Sequence, residues 1–230
     1  MRVLALFLVA LCGLPAAAQV TASAGVVLPI GPFARTTPGT DDGFARPGLA
    51  ARVFLDAPFA EEGTRGLAFT GSLSVFAFPT DEATYSPFPE EDQASESLGP
   101  QSEVGTWVIV PVLGGLRYEW AGVNRDVALI GSVQGGVGVV SMPSVRYELT
   151  ESPQPQLLTR EAGLEAGLAG SAGVAIALFD RLEVGIHFFA LTAPTFEVEQ
   201  TQTIGEAVET TDVELTRPIA GTAFTLGYRF

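Results

Sequence analysis

The 230-residue chain carries 12 basic and 26 acidic residues, a formal net charge of -14, and every basic residue is arginine. Phosphate-rich nucleic acid and anionic membrane surfaces repel so acidic a chain, which argues against both as partners. The single cysteine, Cys12, excludes a disulfide framework and a thiolate metal centre.

Met1-Arg2 opens the chain, the apolar run Val3–Leu14 follows, and Pro15 leads to the small residues Ala16, Ala17 and Ala18. A basic start, a short apolar stretch and an A-x-A site together predict a secretory signal peptide over 1–18, cleaved after Ala18. A bilayer-spanning helix needs about 20 apolar residues, more than this run supplies. Leu11 before Cys12 argues against a lipoprotein anchor. One domain is expected over 19–230.

Eight segments then alternate with the period of two that marks a strand with two different environments. Val20–Leu28 puts Val20, Ala22, Ala24, Val26 and Leu28 on one face. Leu49–Leu55 sets Leu49, Ala51, Val53 and Leu55 against Arg52 and Asp56. Leu67–Phe78 sets Leu67, Phe69, Leu73 and Val75 against Thr70, Ser72 and Ser74. In Val104–Trp120, Val108, Val110, Val112, Leu116, Tyr118 and Trp120 oppose Arg117 and Glu119. Val127–Val140, Gly163–Leu178 and Leu182–Leu191 repeat the pattern, with Ser132, Gln134, Glu165, Glu183 and His187 on their polar sides. Arg217–Phe230 closes the chain, its Phe224, Leu226, Tyr228 and Phe230 alternating with Thr225, Gly227 and Arg229.

Connections of two lengths alternate along the chain. Short turns follow the second, fourth and sixth segments (APFAEEGTR, AGVNRD, FDR). Long ones cover about Pro29–Gly48, Pro79–Glu103, Ser141–Ala162 and Thr192–Thr216. A barrel inserted into a membrane from one side produces that order. The fold expected is all-β: an eight-stranded antiparallel up-and-down transmembrane barrel with short periplasmic turns and long extracellular loops. Pro111 falls inside the fourth segment, where a missing N–H predicts a bulge or register irregularity.

The apolar faces carry no charge, as a bilayer demands, since an arginine at its midplane costs about 2–4 kcal/mol. The opposite faces predict a polar lumen in which Arg52, Arg117 and Arg229 pair with Glu119, Glu165 and Glu183, beside His187. Glycine and alanine, notably Gly173, Ala175 and Ala177, leave room for the long charged chains. The long connections hold most of the acid: Asp81, Glu82, Glu90, Glu91, Asp92, Glu96 and Glu103 in one, Glu197, Glu199, Glu206, Glu209, Asp212 and Glu214 in another. Solvated loops are the ordinary reading of such runs, and no D-x-D-x-D-G calcium loop occurs.

The export signal, the eight alternating segments and the terminal Phe230 resemble the small eight-stranded outer-membrane barrels, the group of OmpX and the OmpA membrane domain. PVLGGLRYEW (Pro111–Trp120) and GVVLPIGPFA (Gly25–Ala34) look like the variety common in Bacteroidota and their relatives. The resemblance implies that Phe224, Leu226, Tyr228 and Phe230 form the signal read by the outer-membrane assembly machinery. It implies outer-membrane lipid as surroundings and a monomer. Lipid A deacylases are barrels of this size with a His/Ser pair on the lipid-facing surface. His187, the only histidine, falls on the polar face with no serine after it on the strand, so no catalytic residue is expected. Neither metal nor cofactor is expected, because one imidazole and no mature thiol cannot build a transition-metal site. The leading reading is a non-enzymatic outer-membrane barrel acting in membrane integrity or surface contacts. An outer-leaflet lipid-modifying enzyme, a narrow solute channel and a soluble secreted carrier are its rivals.

Overall fold

The computed structural model describes residues 18–35, 43–59, 66–81, 101–121, 126–149, 156–179, 181–192 and 194–230. The signal segment up to residue 17, with Cys12, and the acidic residues Glu82, Glu90, Glu91, Asp92 and Glu96 lie outside them.

Eight strands close into a barrel: β1 (Gln19–Pro29), β2 (Gly48–Pro58), β3 (Gly66–Pro79), β5 (Thr106–Ala121), β6 (Val127–Met142), β9 (Gly163–Leu178), β10 (Leu182–Leu191) and β13 (Ile219–Arg229). Each pairs antiparallel with its neighbours in chain order, and β13 closes on β1 from Thr21↔Arg229 to Pro29↔Gly221. The eight expected segments are these eight strands, within a few residues at each end.

The stagger of the barrel can be read from the pairing. Starting at Gln19, successive partners are Asp56, Thr70, Gly115, Gln134, Ser171, Phe189, Gly221 and then Pro29 of β1 again. One circuit therefore advances ten residues along β1. With ~3.3 Å rise and ~4.8 Å strand spacing, that stagger tilts the strands by about 40°. An eight-stranded barrel of this tilt has an interior that side chains fill.

Alternation then decides what faces where. Outward positions along all eight strands hold apolar residues, glycine and a few hydroxyls, with no charged side chain among the described residues. Pro111 faces inward, and the expected bulge does not form. Its ladder to β3 lapses between Leu73↔Val112 and Phe76↔Ile109, yet the register is the same on both sides, and pairing to β6 runs on through Pro111↔Gly138. The missing N–H thus interrupts hydrogen bonding without inserting a residue.

Three of the four long connections contain strands among their described residues, contrary to expectation. They supply β4 (Gln101–Val104), β7 (Val145–Leu149), β8 (Gln156–Arg160), β11 (Thr195–Ile204) and β12 (Ala207–Thr216), which form a second sheet in the order β12-β11-β8-β7-β4. Val104, Val145, Tyr147 and Leu158 of this sheet bury one face around Phe44. Phe196, Val198 and Leu215 continue downward into the barrel's own core.

Candidate functional site

The lumen is layered. At the end bearing the short turns, Ala128, Ile130, Ala175 and Ala177 form a small apolar cluster on β6 and β9. The charged layer lies beside it, with Glu183 paired to Ala177 and Glu119 to Ile130. Arg117 on β5 meets Glu183 of β10 at 2.5 Å and Asp56 of β2 at 3.0 Å. Arg229 on β13 meets Glu119 at 3.0 Å and Glu183 at 3.4 Å. All five side chains are buried. Alternation puts them there, because each occupies an inward position on its own strand, and the barrel stagger brings the contributions of several strands to one level.

Arg52 takes a different partner from the carboxylate expected for it. Its Nε donates to Ser74 Oγ at 3.0 Å, and its guanidinium lies 4.6 Å from the centre of the Phe54 ring. Its charge still matters. Arg52, Arg117 and Arg229 share the lower half of the lumen with Asp56, Glu119 and Glu183, three cations with three anions. Burial of a charge is tolerated only when it is compensated. Glu165, expected in the network, is not part of it. It sits half-buried near the opposite end of β9, across from Val140. Asp56 takes the place assigned to it.

His187 lies two inward positions beyond Glu183 on β10, 3% exposed, its ring tilted against Phe54 at 5.6 Å. Directly across on β9 stands Gly173, where a Cβ would come within 2.2 Å of His187 Nδ1. The missing side chain makes the room for the imidazole. Neither ring nitrogen has a hydrogen-bond partner among the described residues. No group of three or more His, Cys, Asp or Glu suited to a metal ion occurs among them.

Above the charges, Ser72 donates to Gln134 Oε1 at 2.9 Å, and Gln134 Nε2 reaches Thr70 at 3.4 Å. The remaining half of the lumen is an apolar plug that the sequence reading missed. Phe76 stacks on Phe189 at 4.2 Å, and Phe33, carried on the 3-10 turn Gly31–Ala34, packs edge-on against Phe78 and Trp107 at 5.1 and 5.4 Å. Trp107 Nε1 donates to the Gly43 carbonyl at 3.1 Å and pins the segment over the mouth. Phe76, Phe78 and Phe189 share their strands' polar face, so carrying the alternation two steps further would have revealed them.

The four residues of the terminal pattern lie outside. Phe224, Leu226, Tyr228 and Phe230 all face outward, and Phe230 is 75% exposed. Tyr228 and Phe230 pack edge to face at 5.0 Å, Arg181 donates to the Tyr228 hydroxyl at 3.2 Å, and the Phe230 N–H donates to the Val20 carbonyl at 2.9 Å. Tyr118 and Trp120 form a second aromatic pair at the same end, 4.6 Å apart. Aromatic pairs on β5 and β13 therefore mark the short-turn end of the apolar surface, as in a belt at a lipid–water boundary.

No protein-family model and no curated protein matches the sequence. Solved structures do. A major outer membrane protein from Thermus thermophilus aligns with a TM-score of 0.53 at 15% identity, over 93% of this chain and 100% of that one. Ail, the attachment invasion locus protein of Yersinia pestis, aligns at 0.45 and 13% identity, over 92% and 98%. OprG from Pseudomonas aeruginosa aligns at 0.45 and 13% identity, over 93% and 96%. At these identities the likeness concerns architecture alone. Closed eight-stranded topology, an uncharged exterior and the Thermus alignment together give the chain the fold of the small outer-membrane β-barrels.

Proposed function

We propose that the protein is a non-enzymatic integral barrel of a bacterial outer membrane, exported by cleavage after Ala18 and presenting its second sheet at the cell surface. The observation that carries this reading is the exterior: eight strands of outward apolar side chains, free of charge among the described residues. A soluble barrel would place those residues inside and its charges in water. The filled lumen supports a role other than conduction, since the apolar plug and the ion-paired layer succeed one another along the axis. The burial of His187 supports a non-catalytic role, because a lipid-modifying histidine must meet its substrate on the outer surface. Outer-membrane lipid is the surrounding medium, and the chain acts as a monomer. Its contribution lies in membrane integrity or in contacts made by the acidic surface sheet.

Membrane fractionation with a heat-modifiability gel tests the reading. Mature protein should sediment with outer membranes and migrate differently before and after boiling. Recovery in the soluble periplasmic fraction, or one mobility throughout, overturns it.

The terminal strand is the surface proposed to meet the assembly machinery. Deleting Phe230 should sharply reduce the folded, membrane-inserted population in cells. The deleted protein should still refold in detergent, because among the described residues Phe230 contributes its backbone N–H and one ring contact. Equal folded amounts of the two proteins in cells would remove Phe230 from that role.

A further inference from the structure

The second sheet has two edges that differ in kind. β4 is four residues long and ends at Val104. β12 is ten residues long, contains neither proline nor glycine, and pairs with β11 in one unbroken register from Ile204↔Ala207 to Thr195↔Thr216. Among the described residues nothing pairs with its other side. Shortness, a bulge or a proline are common ways to blunt an edge, and β12 has none of them.

Which of its backbone groups point outward follows from the turn. A two-residue connection, Gly205-Glu206, joins β11 to β12. The pair flanking such a turn exchanges hydrogen bonds, and every second pair beyond it does so too. Gln202↔Glu209, Gln200↔Thr211 and Val198↔Val213 are therefore the bonded pairs. The bond from the Glu161 N–H to the Glu199 carbonyl agrees, since it turns Glu199's backbone toward β8 and away from β12. The free N–H and C=O groups of β12 belong to Val208, Thr210, Asp212, Glu214 and Thr216.

Those same residues carry their side chains on the sheet's acidic face. Glu214 stands directly opposite Glu197, and Asp212 opposite Glu199, which adjoins Glu161. Like charges directly across a sheet are unfavourable, so this arrangement opposes the hairpin that bears it. It also opposes self-pairing, because a second copy would bring Asp212 and Glu214 against the same acids. A strand of opposite sign would extend each carboxylate row with its own cations.

We propose that the β12 edge accepts an extended cationic segment of another protein as a sixth strand, with Lys or Arg at alternate positions beside Asp212 and Glu214. This rests on the reading of the second sheet as the surface-exposed end. Main-chain bonds would supply the affinity, and the alternating cations the specificity.

The test uses full-length protein in detergent micelles that shows the heat-dependent mobility shift, so a negative result overturns the edge proposal alone. The probe is a peptide of alternating lysine and threonine, ten residues long to match β12. It should bind, and should slow amide exchange at Val208, Thr210, Asp212, Glu214 and Thr216 selectively. N-methylation of alternate peptide residues, or exchange of lysine for glutamate, should weaken binding by about tenfold or more. Thr210→Pro should do the same while leaving the heat shift intact, because that N–H points away from β11. The proposal is overturned by equal binding of the N-methylated peptide, which would indicate charge attraction without strand pairing. It is overturned equally by protection without alternation, by undiminished binding to T210P, or by concentration-dependent dimerisation that protects the same amides without peptide.

Discussion

Replacing Glu183 by alanine should lower the unfolding temperature in detergent by about 10 °C, corresponding to a loss of about 3–5 kcal/mol. Glu183 is shared by two arginines, at 2.5 Å from Arg117 and 3.4 Å from Arg229. Its removal leaves three guanidinium groups facing Asp56 and Glu119 alone, in a layer that is buried throughout. The asymmetry between making and breaking such a pair sets the size of the effect: a buried ion pair adds little over an apolar replacement, but an uncompensated charge is costly. Glu183→Gln keeps the shape and separates loss of charge from loss of packing. Glu165→Ala is the control. Glu165 is also an inward-strand carboxylate, but it stands outside the ion-paired layer and its loss should leave the midpoint within about 2 °C. Thermal unfolding of the three variants, followed by the mobility shift on gels, decides the matter. An E183A midpoint equal to that of E165A would mean that the network does not hold the barrel.

A larger effect is expected at the closing seam. Gly25 pairs with Thr225 where β1 meets β13, and a Cβ there would lie 1.8 Å from the Phe224 carbonyl oxygen and 2.8 Å from the Thr225 Cα. Both obstacles are backbone atoms of the partner strand, so no change of rotamer relieves the contact. Gly25→Val should therefore separate β1 from β13 and abolish the heat-shifted folded form altogether. Gly135 on β6 is the matched control, because nothing lies within 4 Å of its added Cβ. G135V should fold, and the methyl groups should add to the apolar exterior. A folded G25V with an unchanged mobility shift would refute the packing assigned to this seam.

The barrel was legible because a strand between lipid and lumen carries its environment in every second residue. Arg117 and Glu119 against Tyr118 and Trp120, or Glu183 and His187 against Val184 and Ile186, leave little choice of face. The partner of each charge was less legible. Alternation gives the face but not the height, and height depends on the stagger of all eight strands. That is why Asp56 and Glu165 exchanged roles: both point inward, and only the register places Asp56 level with Arg117. The apolar plug escaped notice because near the long-connection end both faces of a strand are hydrophobic, as at Phe76 and Phe78, so the inward face is found only by counting on from the polar positions. The second sheet escaped for the opposite reason. β12 is exposed on both faces over most of its length, and β4, β7 and β8 are too short to show a period. Their charges read as loop. Only Phe196 and Val198 among Glu197 and Glu199 hinted at a strand.

The seam also governs how the molecule can form. Its other pairings join segments that follow one another in the barrel, so they can zip locally, hairpin by hairpin. Thr21↔Arg229 joins the two extremities of the barrel segment. Loop closure on that scale is entropically the most demanding contact in the fold and belongs late in the order of events. Until it forms, β1 and β13 are two unpaired edges with a hydrophobic face apiece, the configuration most prone to intermolecular pairing. For this protein the hazardous interval of folding is the lifetime of an open, seven-seamed sheet, and whatever shortens that interval raises the yield without touching the stability of the finished barrel.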